Sequence, residues 1–260
     1  MSKQPWALIL GASSGFGAAA ALELARAGMD IFGVHMDRRD TLPRAQEVQA
    51  RIGDLGREAV FFNGNAADDT RRAEVVAAMA ARLADGAGTV RVLLHSLAFG
   101  ALKPLAGEGA VTKKQLELTA DVMGHSLVYW VQALLEAGLM EAGGRIFAMT
   151  SGGGQKAIPL YGPVGGAKAL LEAHIRQLAL ELAPCGITAN AIQAGVTETP
   201  ALRAIPGHER LAQFALARNP HGRLTRPEDV ARCVAALARE DTYWMTGNTI
   251  RVDGGEDTVG

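Results

Sequence analysis

The sequence predicts one α/β domain, a doubly wound parallel sheet of about seven strands with helices on both faces. Three observations predict it. Short apolar runs alternate along the chain with helical stretches of ten or more residues, the pattern of βαβ units. A glycine-rich turn joins the first run to the first helix. The 260 residues are 48% apolar and hold 31 Gly against 3 Trp, 3 Tyr and 7 Phe, which suits a turn-rich domain with a core of Ala, Leu and Val.

Each element follows from local pattern. Ala7-Leu8-Ile9-Leu10 reads as a buried strand, and Phe16 to Ala27 as an Ala-rich helix stopped by Gly28. Ile31 to Met36 is a second strand. Thr41 to Leu55 is amphipathic and ends at Gly56. Glu58 to Asn63 is a third strand, and Asp69 to Ala84 a helix with cap candidates in Ala67-Asp68-Asp69. Val90 to Leu94 is a fourth strand, followed by a long helical region from Thr112 to about Ala142. Arg145 to Met149, the helix Gly165 to Leu182 and the strand Ile187 to Ile192 come next. Residues 196–225 read as irregular, with Pro200, Pro206 and Pro220. A segment that long after a strand's carboxyl end suggests a substrate lid on the ligand side of the sheet. Pro227 opens a helix to Arg239, and Thr249 to Val252 is a last strand. One domain over 1–260 is therefore expected.

Composition excludes several functions. A net charge of -1 argues against a nucleic-acid partner. Cys185 and Cys233 cannot form a disulfide scaffold, and the six His, at 35, 95, 125, 174, 208 and 221, show no metal-ligand spacing, so no metal is expected. No window reaches the ~18 apolar residues of a membrane span. Met1-Ser2-Lys3-Gln4-Pro5-Trp6 lacks a targeting pattern, so a cytoplasmic protein is expected.

Gly11-Ala12-Ser13-Ser14-Gly15-Phe16-Gly17 separates the first strand from the first helix. Gly11 permits a sharp turn. Gly15 and Gly17 let backbone approach a pyrophosphate and helix pack on strand. The helix start then offers unpaired N–H groups to phosphate. Gly11, Ser13, Ser14, Gly15, Phe16 and Gly17 are thus candidate cofactor residues; a ligand-free tight turn is the simpler alternative.

The Gly-x3-Gly-x-Gly spacing resembles that of the short-chain dehydrogenase/reductase family, whose members have a Rossmann-type sheet. Asn65 stands where that family places an Asp or Asn against adenine, with Ala66 beside it. Asn190-Ala191-Ile192-Gln193-Ala194-Gly195 resembles the segment flanking the nicotinamide, and Asp253-Gly254-Gly255 the end of the last strand. In the family an Asp after the second strand selects NAD. Here that place holds His35, followed by Arg38 and Arg39, which suit a 2′-phosphate. The resemblance therefore implies NADPH; Asp37, two residues on, keeps NADH open.

Standard members carry Tyr-x3-Lys, but Lys168 has Val164 at that place. The tyrosine is Tyr161, giving Tyr-x6-Lys, two helical turns or ~10.5 Å of rise if both are helical. Pro163 suggests that the helix starts near there and leaves Tyr161 at or before its first residue. The spacing is similar to that of the enoyl-thioester reductase branch. Leu94-His95-Ser96-Leu97-Ala98-Phe99-Gly100 and Ala157-Ile158-Pro159-Leu160-Tyr161 resemble type I enoyl-acyl-carrier-protein reductases. The phosphate turn, Ala201 to Pro206 and Asn219 to Arg223 resemble type III. The Asn and Ser of ketoreductases are absent, with Val122 or Met123 and Ala148 in their places.

The resemblance implies NADPH-dependent reduction of the 2,3 double bond of an enoyl thioester carried on acyl-carrier protein or coenzyme A, as in fatty-acid metabolism. Tyr161 would donate to the thioester oxygen. Lys168 would bind the nicotinamide ribose and lower the tyrosine's pKa. Ser151 or Thr150 would be a substrate donor, though strand-end hydroxyls also cap backbone. Ser96, Leu97 and Ala98 would line the cofactor and Val196 would press on the nicotinamide. His95 and His125 read as packing residues, and Met123, Met140, Met149 and Met245 as gap-fillers. A homotetramer is the family expectation, with the Ala-rich helices 73–84 and 167–183 able to pack closely. Arg203, Arg210, Arg218 and Arg223 are candidates for contact with a carrier protein. A keto or carbonyl reductase and a non-catalytic cofactor-binding protein are the competing readings.

Overall fold

The computed structural model describes residues 3–86 and 88–259, without the side chain of Asp85. Met1 and Ser2, the start of the N-terminal segment expected to lack a targeting pattern, lie outside them. Seven strands form one parallel sheet in the order β3-β2-β1-β4-β5-β6-β7. They are β1 (Gln4–Leu10), β2 (Asp30–His35), β3 (Ala59–Asn63), β4 (Gly88–His95), β5 (Arg145–Ser151), β6 (Thr188–Ala194) and β7 (Thr249–Val252). The helices are α1 (Gly15–Arg26), α2 (Leu42–Asp54), α3 (Asp69–Arg82), α4 (Lys113–Ala120), α5 (Ser126–Glu136), α6 (Gly162–Leu182), α7 (Pro200–Arg203), α8 (His208–Arg218) and α9 (Pro227–Leu237).

Alternation along the central strands builds two cores. Leu8 and Leu10 of β1 turn to one face with Val75, Met79, Trp130, Leu134 and Leu171. Ala7 and Ile9 turn to the other with Ala20, Leu24, Val48 and Val234. Burial of both sheet faces explains why the strands read as continuous apolar runs rather than alternating ones. Helix ends follow local chemistry. The Asp68 carboxylate accepts the Arg71 N–H at 2.7 Å and starts α3. Thr112 and Gln115 form a reciprocal capping box on α4.

Two expectations need correction. The helical region does not run to Ala142: a π-helical turn over Asp121–His125 joins α4 to α5, α5 stops at Glu136, and Gly138 takes a left-handed φ of 64°. Leu139 and Met140 are apolar because they return to the core. Residues 196–225 are not irregular either, since they contain α7 and α8. Pro200 opens α7, Thr199 caps it, and Pro206 and Pro220 lie outside both helices. An isolated parallel bridge between Thr197 and Thr225 brings the ends of the segment together. No described helix is long and apolar enough to cross a membrane.

Candidate active site

β1 lies between β2 and β4, so the crossovers on its two sides leave in opposite directions. Such a switch point opens a crevice at the strands' carboxyl ends. A cleft of about 590 Å³ lies there. It runs from the Gly11 turn past the ends of β2, β3 and β4 to Tyr161 and Lys168. The turn is built as only glycine permits. A Cβ on Gly17 would stand 2.0 Å from the Gly11 carbonyl oxygen, and one on Gly11 2.4 Å from that of Ser96. Gly11 has a φ of 93°. This pressed turn leaves the first turn of α1 open to the cleft, a cradle that fits a pyrophosphate.

Most predicted cofactor residues meet in this cleft: Gly11, the run Ser13 to Phe16, Asn65 with Ala66, Ser96 to Ala98, and Lys168. Gly17 serves the helix–strand contact instead. The indole N–H of Trp130 donates to the Ala66 carbonyl at 2.8 Å and holds that loop in place. Arg38 and Arg39, by contrast, are exposed and do not line the cleft. The chain turns them outward because Asn63 pairs with both the N–H and the carbonyl of Asp37. Asp37 is the charge turned inward, with its carboxylate 2.8 Å from His35 Nδ1. Burial pushes that carboxyl up, but hydrogen bonds from Ser13, Thr41 and His35 outweigh it and hold it below the usual range.

A second cavity, about 450 Å³ and mostly apolar, adjoins the cleft under α7 and α8. Phe16, Phe99, Met123, Ser151 and Tyr161 border both spaces. Val196 lines this cavity and not the cleft. Its N–H is taken by the carboxylate of Glu256, which burial pushes above its ordinary pKa. Asp257 joins Lys156 to Gln193 on the same wall, at 2.6 Å to each. Sequence alone did not single out Glu256 and Asp257, because only the pairing of β7 with β6 brings them here.

Tyr161 stands where β5's loop enters α6, as the residue before its first turn. Leu160, just before it, has a φ of 63°, a left-handed conformation that a leucine adopts only at a cost of about 1 kcal/mol or more. The phenol oxygen lies 3.2 Å from Ser151 Oγ. Burial raises the Tyr161 pKa, against a smaller lowering by Ser151. The expected lowering by Lys168 is therefore corrected: Tyr161 is a neutral phenol at neutral pH, able to donate.

Lys168 is 5% exposed, and its Nζ donates to the Met149 carbonyl at 2.6 Å. Burial lowers its pKa to about 8, with Glu172 acting in the opposite direction. Thr150 lines the cleft, and its hydroxyl donates to Glu172 at 2.6 Å. His95 is a core residue as expected. Ser126 Oγ donates to the Val122 carbonyl, so His95 Nε2 donates to Ser126 at 2.8 Å. His125 does more than pack: its Nδ1 lies 3.2 Å from Nε2 of His174 on α6. Met123, Met140 and Met149 fill the core, whereas Met245 is 40% exposed. Among the described residues no group of three metal-ligating side chains gathers.

His95 makes the fold sensitive to acid. Burial first, and Lys168 second, push its pKa down to about 3 from an ordinary 6.5. Between those values the unfolded chain binds the proton and the folded one does not. Stability is complete above pH 6.5 and falls below it, by at most about 1.4 kcal/mol per pH unit. Thermal melts from pH 7.5 to 5 should drop less steeply for His95→Gln. Parallel slopes would assign the acid sensitivity to another group.

A family model described as enoyl-(acyl carrier protein) reductase matches residues 11–256. The 1-cyclohexenylcarbonyl-CoA reductase of Streptomyces collinus is 30% identical over 97% of this chain and 86% of its own length. The NADPH enoyl-[acyl-carrier-protein] reductase of Staphylococcus aureus is 34% identical over 65% of each chain. The crystal structure of the NADH enoyl-[acyl-carrier-protein] reductase of Aquifex aeolicus matches with a TM-score of 0.84 and 26% identity, covering 99% of this chain and 98% of that one.

Proposed function

Because the chain belongs to the enoyl-(acyl carrier protein) reductase family of short-chain dehydrogenases/reductases, we propose that this nicotinamide-dependent oxidoreductase reduces the 2,3 double bond of an enoyl thioester. The observation that carries the reading is Tyr161, a buried neutral phenol at the junction of the polar cleft and the apolar cavity. The cleft takes the dinucleotide and the cavity the acyl group. When bound, the reduced nicotinamide supplies a hydride to the β-carbon. Tyr161 donates a hydrogen bond to the thioester oxygen as negative charge develops there, and a proton taken from the medium at the α-carbon completes the reduction. Ser151, 3.2 Å away, orients the phenol. Lys168, behind it, holds the ribose. The segment 196–225 roofs the acyl group and excludes water.

Asp37 favours NADH over NADPH. A 2′-phosphate near Ser13 would meet its carboxylate, while Arg38 and Arg39 stand outside the cleft. The carrier is acyl-carrier protein or coenzyme A. Arg203 and Arg223 are paired with Glu198 and Asp229, and Arg218 donates to the Val259 carbonyl, which leaves Arg210 as the better contact for an acidic carrier. Exposed Leu180 and Trp244 support the homotetramer expected of the family, and a cytoplasmic location belongs to the same reading. A keto reductase remains the second reading, since the Ser151–Tyr161 pair suits a ketone oxygen equally well.

Crotonyl and acetoacetyl thioesters, each with NADH and NADPH, separate these readings by loss of reduced-nicotinamide absorbance. Oxidation with crotonyl thioester, faster with NADH, is expected. Oxidation with the keto substrate alone would select the second reading.

A further inference from the structure

Glu172 is a buried ionisable group beside the reacting centre that the reduction as described does not use. It is 5% exposed and lies one helical turn after Lys168 on α6. Its Oε1 accepts from Thr150 Oγ1 at 2.6 Å, and its Oε2 lies 3.5 Å from Gln155 Nε2. The Gly152–Gly154 turn closes over it, so that a Cβ on Gly154 would stand 2.9 Å from Oε1. Thr150 sits between Met149, whose carbonyl receives Lys168, and Ser151, which meets Tyr161. One carboxylate thus grips the strand residue between the two active-site contacts.

Burying a carboxylate is costly unless another charge answers it. Among the described residues no ion pair joins Glu172 to a cation; α6 places Lys168 one turn before it, in the interior, and Arg176 one turn after it, exposed to solvent. The ionisable groups facing Lys168 are Glu172 on its own helix, His95 at the end of β4 and Tyr161 at the helix start. His95 is neutral above acid pH, and Tyr161 is neutral below the alkaline range. That leaves Glu172 as the charge that answers the lysine.

We propose that Glu172 is a positioning residue that keeps Lys168 protonated and, through Thr150 and the end of β5, aims it at the cofactor ribose. The inference rests on the reading of Lys168 as the ribose-binding group, and not on which double bond is reduced. Desolvation lowers Lys168 toward neutrality and Glu172 offsets this. Without that charge Lys168 would lose its proton at lower pH, and the alkaline side of cofactor binding would move the same way.

The test is Glu172→Gln in the whole protein, which keeps the side chain's shape and an oxygen for Thr150. The dissociation constant of reduced nicotinamide cofactor is measured by fluorescence from pH 6 to 10, with melting temperature alongside. The alkaline limb should move toward acid by about one pH unit, weakening binding about fivefold at pH 8 and about tenfold above pH 9. Glu172→Asp keeps the charge one methylene farther away and should place the limb between the two, which also decides the matter if the Gln variant does not fold. Lys168→Met should abolish the limb. A limb unmoved in the Glu172 variants but lost in Lys168→Met overturns the role of Glu172 alone, whatever the melting temperature does. A limb that survives Lys168→Met belongs to another group and overturns the proposal at its base.

Discussion

Replacing Tyr161 by Phe should leave the protein folded and able to bind cofactor, yet lower kcat on an enoyl thioester by about 10²–10³-fold, the usual loss for one preorganised oxyanion donor. The ring should not move. Gly153 closes against it so tightly that a Cβ there would stand 2.4 Å from the ring carbon Cε1. The ring edge borders apolar Ile158 and Val164, so removing the hydroxyl opens little space. The variant therefore isolates the donor from the packing. Steady-state kinetics with crotonyl thioester, together with cofactor titration, checks both halves of the expectation. A rate within a few-fold of the parent would remove Tyr161 from the chemistry. A parallel loss of cofactor affinity would instead make it a wall of the cleft.

The second large effect is expected at Gly17. In Gly17→Ala the new methyl would stand 2.0 Å from the Gly11 carbonyl oxygen and 2.8 Å from its carbon. Both are backbone atoms of the turn, pinned to β2 by the Gly11 and Ala12 N–H bonds to the Val34 carbonyl. Neither can yield, so α1 must lift off β1 and carry the phosphate cradle with it. A destabilisation of about 3 kcal/mol, at the upper end for overpacking, is expected, along with loss of measurable cofactor binding. Gly53 in α2 is the control, because nothing stands within 4 Å of a Cβ there. Gly53→Ala should stabilise by about 0.5–1 kcal/mol. Denaturant unfolding of the two variants, with cofactor titration, decides between a steric turn and a merely flexible one.

These contrasts show what a sequence conveys about such a site. Strands and the phosphate turn are legible because they rest on neighbours in the chain: apolar runs of a few residues, glycines at fixed spacing, Pro163 marking the start of α6 after Tyr161. The site's second layer is legible only in part. Glu172 was within reach, since a carboxylate four residues after a lysine on an apolar helix shares its face. Arg38 and Arg39 drew attention by charge, but the hydrogen bonds between Asn63 and Asp37, across the β2–β3 pair, decide which charge turns inward. Glu256 and Asp257 depend on the sheet order, which no local pattern records. The prolines of 196–225 misled because a proline at a helix start has the same look in sequence as a proline in a loop.

The π-helical turn at Asp121–His125 has one residue more than an α-helix would need between α4 and α5. Its middle residues, Val122 and Met123, reach the cofactor cleft, and Met123 the acyl cavity as well. Forcing the same residues into a regular α-helix would swing everything before the turn by about 100° relative to everything after it. Met123 would then leave the cavity wall, and Thr119 would leave the Ala101 N–H that it accepts at 3.0 Å. The irregularity thus works as a rotational offset between two halves of one helix, one set by the sheet and the other by the ligand.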